Sequence, residues 1–161
     1  INRRQLRTKV LQMLYAYEQT DDAKLSVFEK NLSGSIEKMY HLYLLYLLLL
    51  IEFKELAARK IEESKKKFRP SKDDLSPSYN FIENRLLVDL TDNVKLKNKM
   101  TKNGVSWSSE MDMVRAVFNK IRNSGLYQEY LAQENPGLDE DTAFLIKMFK
   151  DFVVNNEVLL S

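Results

Sequence analysis

Apolar side chains return along this chain every three or four residues, and runs alternating apolar with polar are scarce, so the periodicity is that of helices. In the opening segment Leu6, Val10, Met13, Leu14 and Tyr17 fall within one arc at about 100° per residue, which predicts an amphipathic helix over 3–19 with this stripe facing a core. Thr20, Asp21 and Asp22 end it. A second helical region is expected from near Lys24 to about Phe68, open to a break at Ser33-Gly34-Ser35 because glycine costs about 1 kcal/mol inside a helix. Arg69-Pro70-Ser71 is a firm stop. The middle of this region, Leu42 to Ile51, is apolar on every face, which predicts a buried central core helix. At about half the length needed to span a bilayer, and flanked by Lys38, His41, Glu52 and Lys54, it is not a membrane segment.

Downstream the pattern is more broken. Pro77 stands where a helix start is expected, followed by a short helix carrying Phe81, Ile82, Leu86 and Leu90. Lys95 to Gly104 reads as either a frayed helix or a loop, closed by the Asn103-Gly104 turn signal. Ser109 and Asp112 resemble a capping box ahead of a clean stripe of Met111, Val114, Val117, Phe118 and Ile121. A short helix over 126–133 and a last one follow, the latter with Asp139, Glu140 and Asp141 at its start and Phe144 or Leu145, Met148, Phe149, Phe152 and Val153 turned inward. The expected fold class is all-α: a helical bundle with a long, largely buried central helix, forming one helical unit over 1–161.

Composition changes this picture little. Four Gly and three Pro leave few tight turns, and 44% hydrophobic residues suffice for a core. A net charge of +2 is too near neutral to argue for nucleic acid or membrane from the whole chain, so any such case is local. The absence of cysteine excludes disulfides and thiolate chemistry and fits a cytoplasmic setting. His41 is the only histidine and precedes the apolar run, where a structural role is favoured, so nucleophilic triads and histidine metal sites lack their parts. Asp73-Asp74 and Asp139 to Asp141 lack calcium-loop spacing, and no glycine-rich phosphate loop exists. The expectation is therefore no enzyme, no metal and no cofactor.

Two basic stretches, Lys65 to Lys72 and Lys95 to Lys102, read first as solvated helix ends. The opening helix differs, because its second face brings together Arg4, Thr8, Leu11, Tyr15 and Gln19, with Arg7 and Gln12 beside them. Arginine pairs phosphates, glutamine bonds base edges, and an outward tyrosine stacks on an unpaired base. Against this stands the plainer reading of a solvated face with Tyr15 half buried.

The segment RRQLRTKVLQMLYAYEQ resembles the first helix of the NusB transcription antitermination factors, with Arg4, Arg7, Gln12, Leu14, Tyr15 and Gln19 at matching spacings. A second, weaker likeness to the family's third helix lies over 138–161, in Asp141, Phe149, Val153 and Asn156. The resemblance implies a non-enzymatic, all-helical adaptor of the bacterial cytoplasm. It would bind a boxA-like single-stranded RNA in nascent ribosomal RNA, together with the NusE ribosomal protein and the elongating RNA polymerase. The RNA-binding residues it implies are Arg3, Arg4, Arg7, Lys9, Gln12 and Tyr15. On this reading 1–20 is the family's first helix and 24–135 an inserted helical region. The family's second helical half has no counterpart, so the chain is expected to be the N-terminal part of a longer, enlarged member. The competing reading is a helical interaction module or homo-oligomer that binds no RNA, motivated by the apolar surface of Tyr40, Tyr43, Leu47 and Phe53.

Overall fold

A computed structural model describes residues 2–21, 24–66 and 76–155. Among these residues every element of regular structure is helical, so the chain is all-α. The sequence readings at Phe68, Arg69-Pro70-Ser71, Lys72, Asp73-Asp74 and Asn156 lie outside the described residues. None of the described helices is long and apolar enough to cross a membrane. The chain divides into two compact units, Ile1–Tyr46 and Leu47–Ser161.

The first unit is a helical hairpin. Helix α1, Arg3–Glu18, is started by Asn2, whose side chain accepts from the Gln5 amide at 2.9 Å while the Gln5 side chain accepts from the Asn2 amide at 3.1 Å. This reciprocal cap satisfies two groups that a helix start otherwise leaves bare. After the turn comes α2, Leu25–Lys65, a continuous helix that passes through Ser33-Gly34-Ser35 without a break. Once a helix is nucleated each further residue adds a hydrogen bond, so a single glycine lowers the margin without ending the run. Tyr17 of α1 meets Phe28 of α2 edge to face, with ring centroids 5.3 Å apart.

This hairpin has almost no interior: α1 buries no residue, and among the unit's described residues Leu44 is the fully buried large apolar side chain. The half-buried positions of α1 are Leu6, Lys9, Met13 and Tyr17, whereas Val10 and Leu14 remain 40% and 52% exposed. The predicted core stripe is thus turned toward Lys9, whose aliphatic stem tolerates burial while its ammonium stays wet. Burial along the apolar run of α2 is also uneven. Leu44 and Leu49 are buried, while Leu42 and Tyr43 are about half exposed.

The second unit, beginning at Leu47, carries the core. The later part of α2 contributes Leu49, Phe53, Leu56 and Ala57, all buried. Helices α3 (Arg85–Asp92), α4 (Val94–Lys102), α5 (Met111–Arg122), α6 (Gly125–Leu131) and α7 (Leu138–Phe149) complete it, with a 3-10 turn at Ser108–Glu110 and a π turn at Lys150–Val154. Phe81 sits among Phe118, Tyr127 and Phe144 at centroid distances of 5.2 to 6.1 Å, and Phe53 stacks on Phe118 at 5.7 Å. The stripe of α5 is as expected, with Val114, Val117, Phe118 and Ile121 buried.

Several local expectations give way to polar capping. The helix expected near Pro77 starts only at Arg85, because the Asn84 side chain accepts from the Leu86 and Leu87 amides. Lys95 to Lys102 is helical, capped by Asn93 and released at Gly104, whose φ of +61° suits glycine. The Ser109 capping box does not form: Ser108–Glu110 is a 3-10 turn, and α5 has no side-chain cap. Asn123-Ser124-Gly125 is both an end and a start, since Ser124 accepts from the Tyr127 amide and opens α6.

Candidate nucleic-acid interface

Helix α1 holds all six candidate residues, and their helical spacing distributes them over two flanks and an outer face. Arg4, Lys9 and Gln12 line one open groove of about 240 Å³, together with Gln5, Thr8 and Met39 of α2. Arg3 and Arg7 do not line it, nor does Tyr15, which is 67% exposed. The plainer expectation of a half-buried Tyr15 is therefore corrected. The ring lies outside the arc that the hairpin covers and is mostly exposed.

The electrostatics of α1 are one-sided. Arg3, Arg4, Arg7 and Lys9 occupy its first half, and Glu18 is the acidic residue at its far end. Among the described residues none of these four cations forms a salt bridge. By contrast Lys65, in the basic run that closes α2, is held by Glu62 at 2.8 Å and lies 5.6 Å from the Tyr79 ring centroid. The Glu62 carboxyl is lowered below its ordinary pKa by that hydrogen bond and the Lys65 charge, and Lys65 is raised in turn by Glu62. Lys65 is thus paired, whereas the cations of α1 remain available to an outside anion.

The start of α1 offers an anion less than its dipole suggests, because the Asn2–Gln5 cap already uses the Gln5 amide. Recognition of phosphate there rests on the side chains. Thr8 is also committed, donating its hydroxyl to the Arg4 carbonyl at 3.1 Å. Gln5 and Met39 were missed by sequence reasoning. The Asn2-x-x-Gln5 spacing could have shown the first as a capping partner, but Met39 enters from another helix and leaves no signal near α1.

A second polar cluster lies buried in the other unit. Tyr130 donates its hydroxyl to Asp141 Oδ1 at 2.5 Å, Asn84 Nδ2 donates to the Tyr130 oxygen at 3.0 Å, and the Arg85 amide donates to Asp141 Oδ2 at 3.0 Å. Asn80 donates to the carbonyls of Tyr130 and Gln133 at 3.1 and 2.8 Å, and Phe144 stacks on the Tyr130 ring at 3.9 Å. Burial, then the bond to Asp141, raises the Tyr130 pKa well above that of an ordinary phenol. No buried side-chain polar atom in the described residues lacks a partner. Asp141, expected to favour a helix start and named in the weaker NusB likeness, is a buried clamp joining α3, α6 and α7. Its carboxylate is filled by these partners, so the cluster is a structural knot. His41 is half-buried on α2, and Trp107 is half-buried ahead of the 3-10 turn.

Compared with known protein families, with curated proteins and with solved structures, the chain finds no match.

Proposed function

We propose that this chain is a non-enzymatic, RNA-binding adaptor of transcription antitermination, reading a boxA-like single strand with α1. The observation that carries the reading is the state of that helix: four unpaired cations, two of them in a groove with Gln12, and an outward tyrosine one to two turns further on. Arg4 and Lys9 grip phosphates from the groove, with Arg3 and Arg7 gripping from the other flank. Gln12 bonds a base edge, and Tyr15 stacks on an unpaired base. The spacing likeness of α1 to the NusB first helix supports the same reading, and with it NusE and the elongating polymerase as partners in the bacterial cytoplasm.

The test is a titration of a boxA-like RNA against the wild type and Arg4→Ala/Lys9→Ala at several salt concentrations. Each lost phosphate contact should flatten the slope of log affinity against log salt by about 0.7. Tyr15→Ala should weaken binding by about 1–3 kcal/mol with the slope unchanged. Equal, salt-insensitive binding by all three proteins would rule the interface out.

The alternative of an interaction module is favoured by a different observation on the same hairpin. Its large apolar side chains Val10, Leu11, Leu14, Leu42 and Tyr43 are 40 to 69% exposed. Of the residues that first suggested such a module, Phe53 is buried in the second unit and Tyr43 remains half exposed.

A further inference from the structure

Helix α1 has another exposed face, which overlaps the RNA reading only at Arg3 and Arg7. Arg3, Arg7, Val10, Leu14 and Glu18 recur at spacings of three and four, so they share one stripe of the helix, and Asp21 follows in the turn just beyond it. Every one of these residues is exposed, and Leu11, at the stripe's edge, is 69% exposed. The stripe is basic at one end, apolar in the middle and acidic at the other.

Such an order is self-complementary in only one direction. Laid parallel on a copy of itself, the stripe sets arginine against arginine. Laid antiparallel and centred near Gln12, it sets Val10 against Leu14 of the copy and Leu14 against its Val10. Arg7 then comes level with Glu18 of the copy, and Arg3 with the turn that holds Asp21, to within about one 1.5 Å step of the helix. The same contacts repeat about the two-fold axis, as an isologous interface requires. The middle of the stripe excludes water, while its ends set direction and register.

We infer that α1 is a homodimerisation helix, pairing antiparallel with α1 of a second copy through Val10 and Leu14, with Arg3 and Arg7 meeting Glu18 and Asp21. The contact is one helix wide, which places it with small, transient interfaces and makes the dimer concentration-dependent. It leaves the groove of Arg4, Lys9 and Gln12 uncovered and shares Arg3 and Arg7 with the RNA reading. Its standing does not depend on that reading, because the test contains no RNA.

The experiment is sedimentation velocity over a concentration series of the whole chain, with helicity checked by circular dichroism. The wild type should rise from 18.9 kDa toward twice that mass. Arg3→Glu/Arg7→Glu makes the stripe acidic at both ends and Glu18→Arg/Asp21→Arg makes it basic at both ends, so each alone should associate about tenfold more weakly or worse. Mixed in equal amounts they should recover the wild-type mass, because each acidic end then faces a basic one. The direction is read from the variants taken singly, since parallel pairing already sets like charges together in the wild type and would lose nothing by either change. Leu14→Gln, a change at an exposed position, should weaken association without altering charge. A wild type that stays monomeric throughout overturns the inference, as does a mixture of the two charge variants that fails to associate while both keep their helicity.

Discussion

The two units of this chain have opposite relations to water. In the second, aromatic and aliphatic side chains from the later part of α2 and from α5, α6 and α7 enclose one another, and the buried side-chain polar atoms of the described residues all find partners. In the first, two helices meet along one line, one large apolar side chain among the described residues is fully buried, and Leu11, Leu14 and Tyr15 of α1 are more than half exposed. The sequence contains apolar stripes in both. What differs is the number of neighbours: a helix with a single partner covers a narrow arc, while one packed among several covers most of its stripe. The hairpin therefore keeps apolar and cationic groups available for contacts outside the chain, and the second unit carries the stability.

Substitutions can break this contrast. The largest effect is expected at Phe81, which is 1% exposed and touches three other aromatic rings. Phe81→Ala should cost about 3–5 kcal/mol in urea unfolding, against about 0.5 kcal/mol or less for Leu14→Ala at its exposed site. Comparable losses at both positions would mean that the hairpin is as well packed as the core.

Next comes the buried tyrosine. Tyr130→Phe leaves Asp141 Oδ1 and Asn84 Nδ2 short of a partner and should cost about 1–3 kcal/mol near neutral pH. Because the Tyr130 pKa is raised in the folded state, the folded chain keeps a proton that the unfolded chain releases above about pH 10. This contribution is complete below that pH and is lost as pH rises further, so the gap between wild type and Tyr130→Phe should narrow in alkali. A gap that widens between about pH 8 and pH 11 would contradict the assignment.

The smallest effect belongs to the hairpin. Gly34 is helical, and a Cβ added there meets nothing within 4 Å. Gly34→Ala should therefore stabilise by about 0.5–1 kcal/mol, read as slower amide exchange around residue 34 with the second unit unchanged.

Much of the fold was legible because helical periodicity is a local property. The existence of α1, the stripe of α5, the long second helix and the acidic start of α7 could all be read from spacing alone, whereas the stripe of α1 was read too far round, to Val10 and Leu14. Helix starts were harder. Asn84 and Asn93 act as caps through side-chain geometry; the first was passed over for Pro77, and the second went unread ahead of a segment left between frayed helix and loop, while the Ser109 signal led to a cap that does not form. The role of Asp141 was hidden for another reason, since its partners Tyr130 and Arg85 lie in other helices. In the candidate interface the cations and Tyr15 were visible as residue types, and so was their sharing of one helix. Which of them share a groove depends on Met39 and on the rotation of α1 toward Lys9, neither of which the segment's own sequence determines.

The knot at Asn84, Tyr130 and Asp141 also bears on the order in which the chain folds. Its bond from Asn84 to the Asp141 carbonyl closes a span of 57 residues. Tyr17 and Phe28 of the hairpin, by contrast, lie one short turn apart. Closing the longer loop costs more chain entropy and returns nothing until the distant partners meet. The hairpin is therefore expected to form from local contacts before the knot closes, an order that pulse-labelled amide exchange during refolding would read.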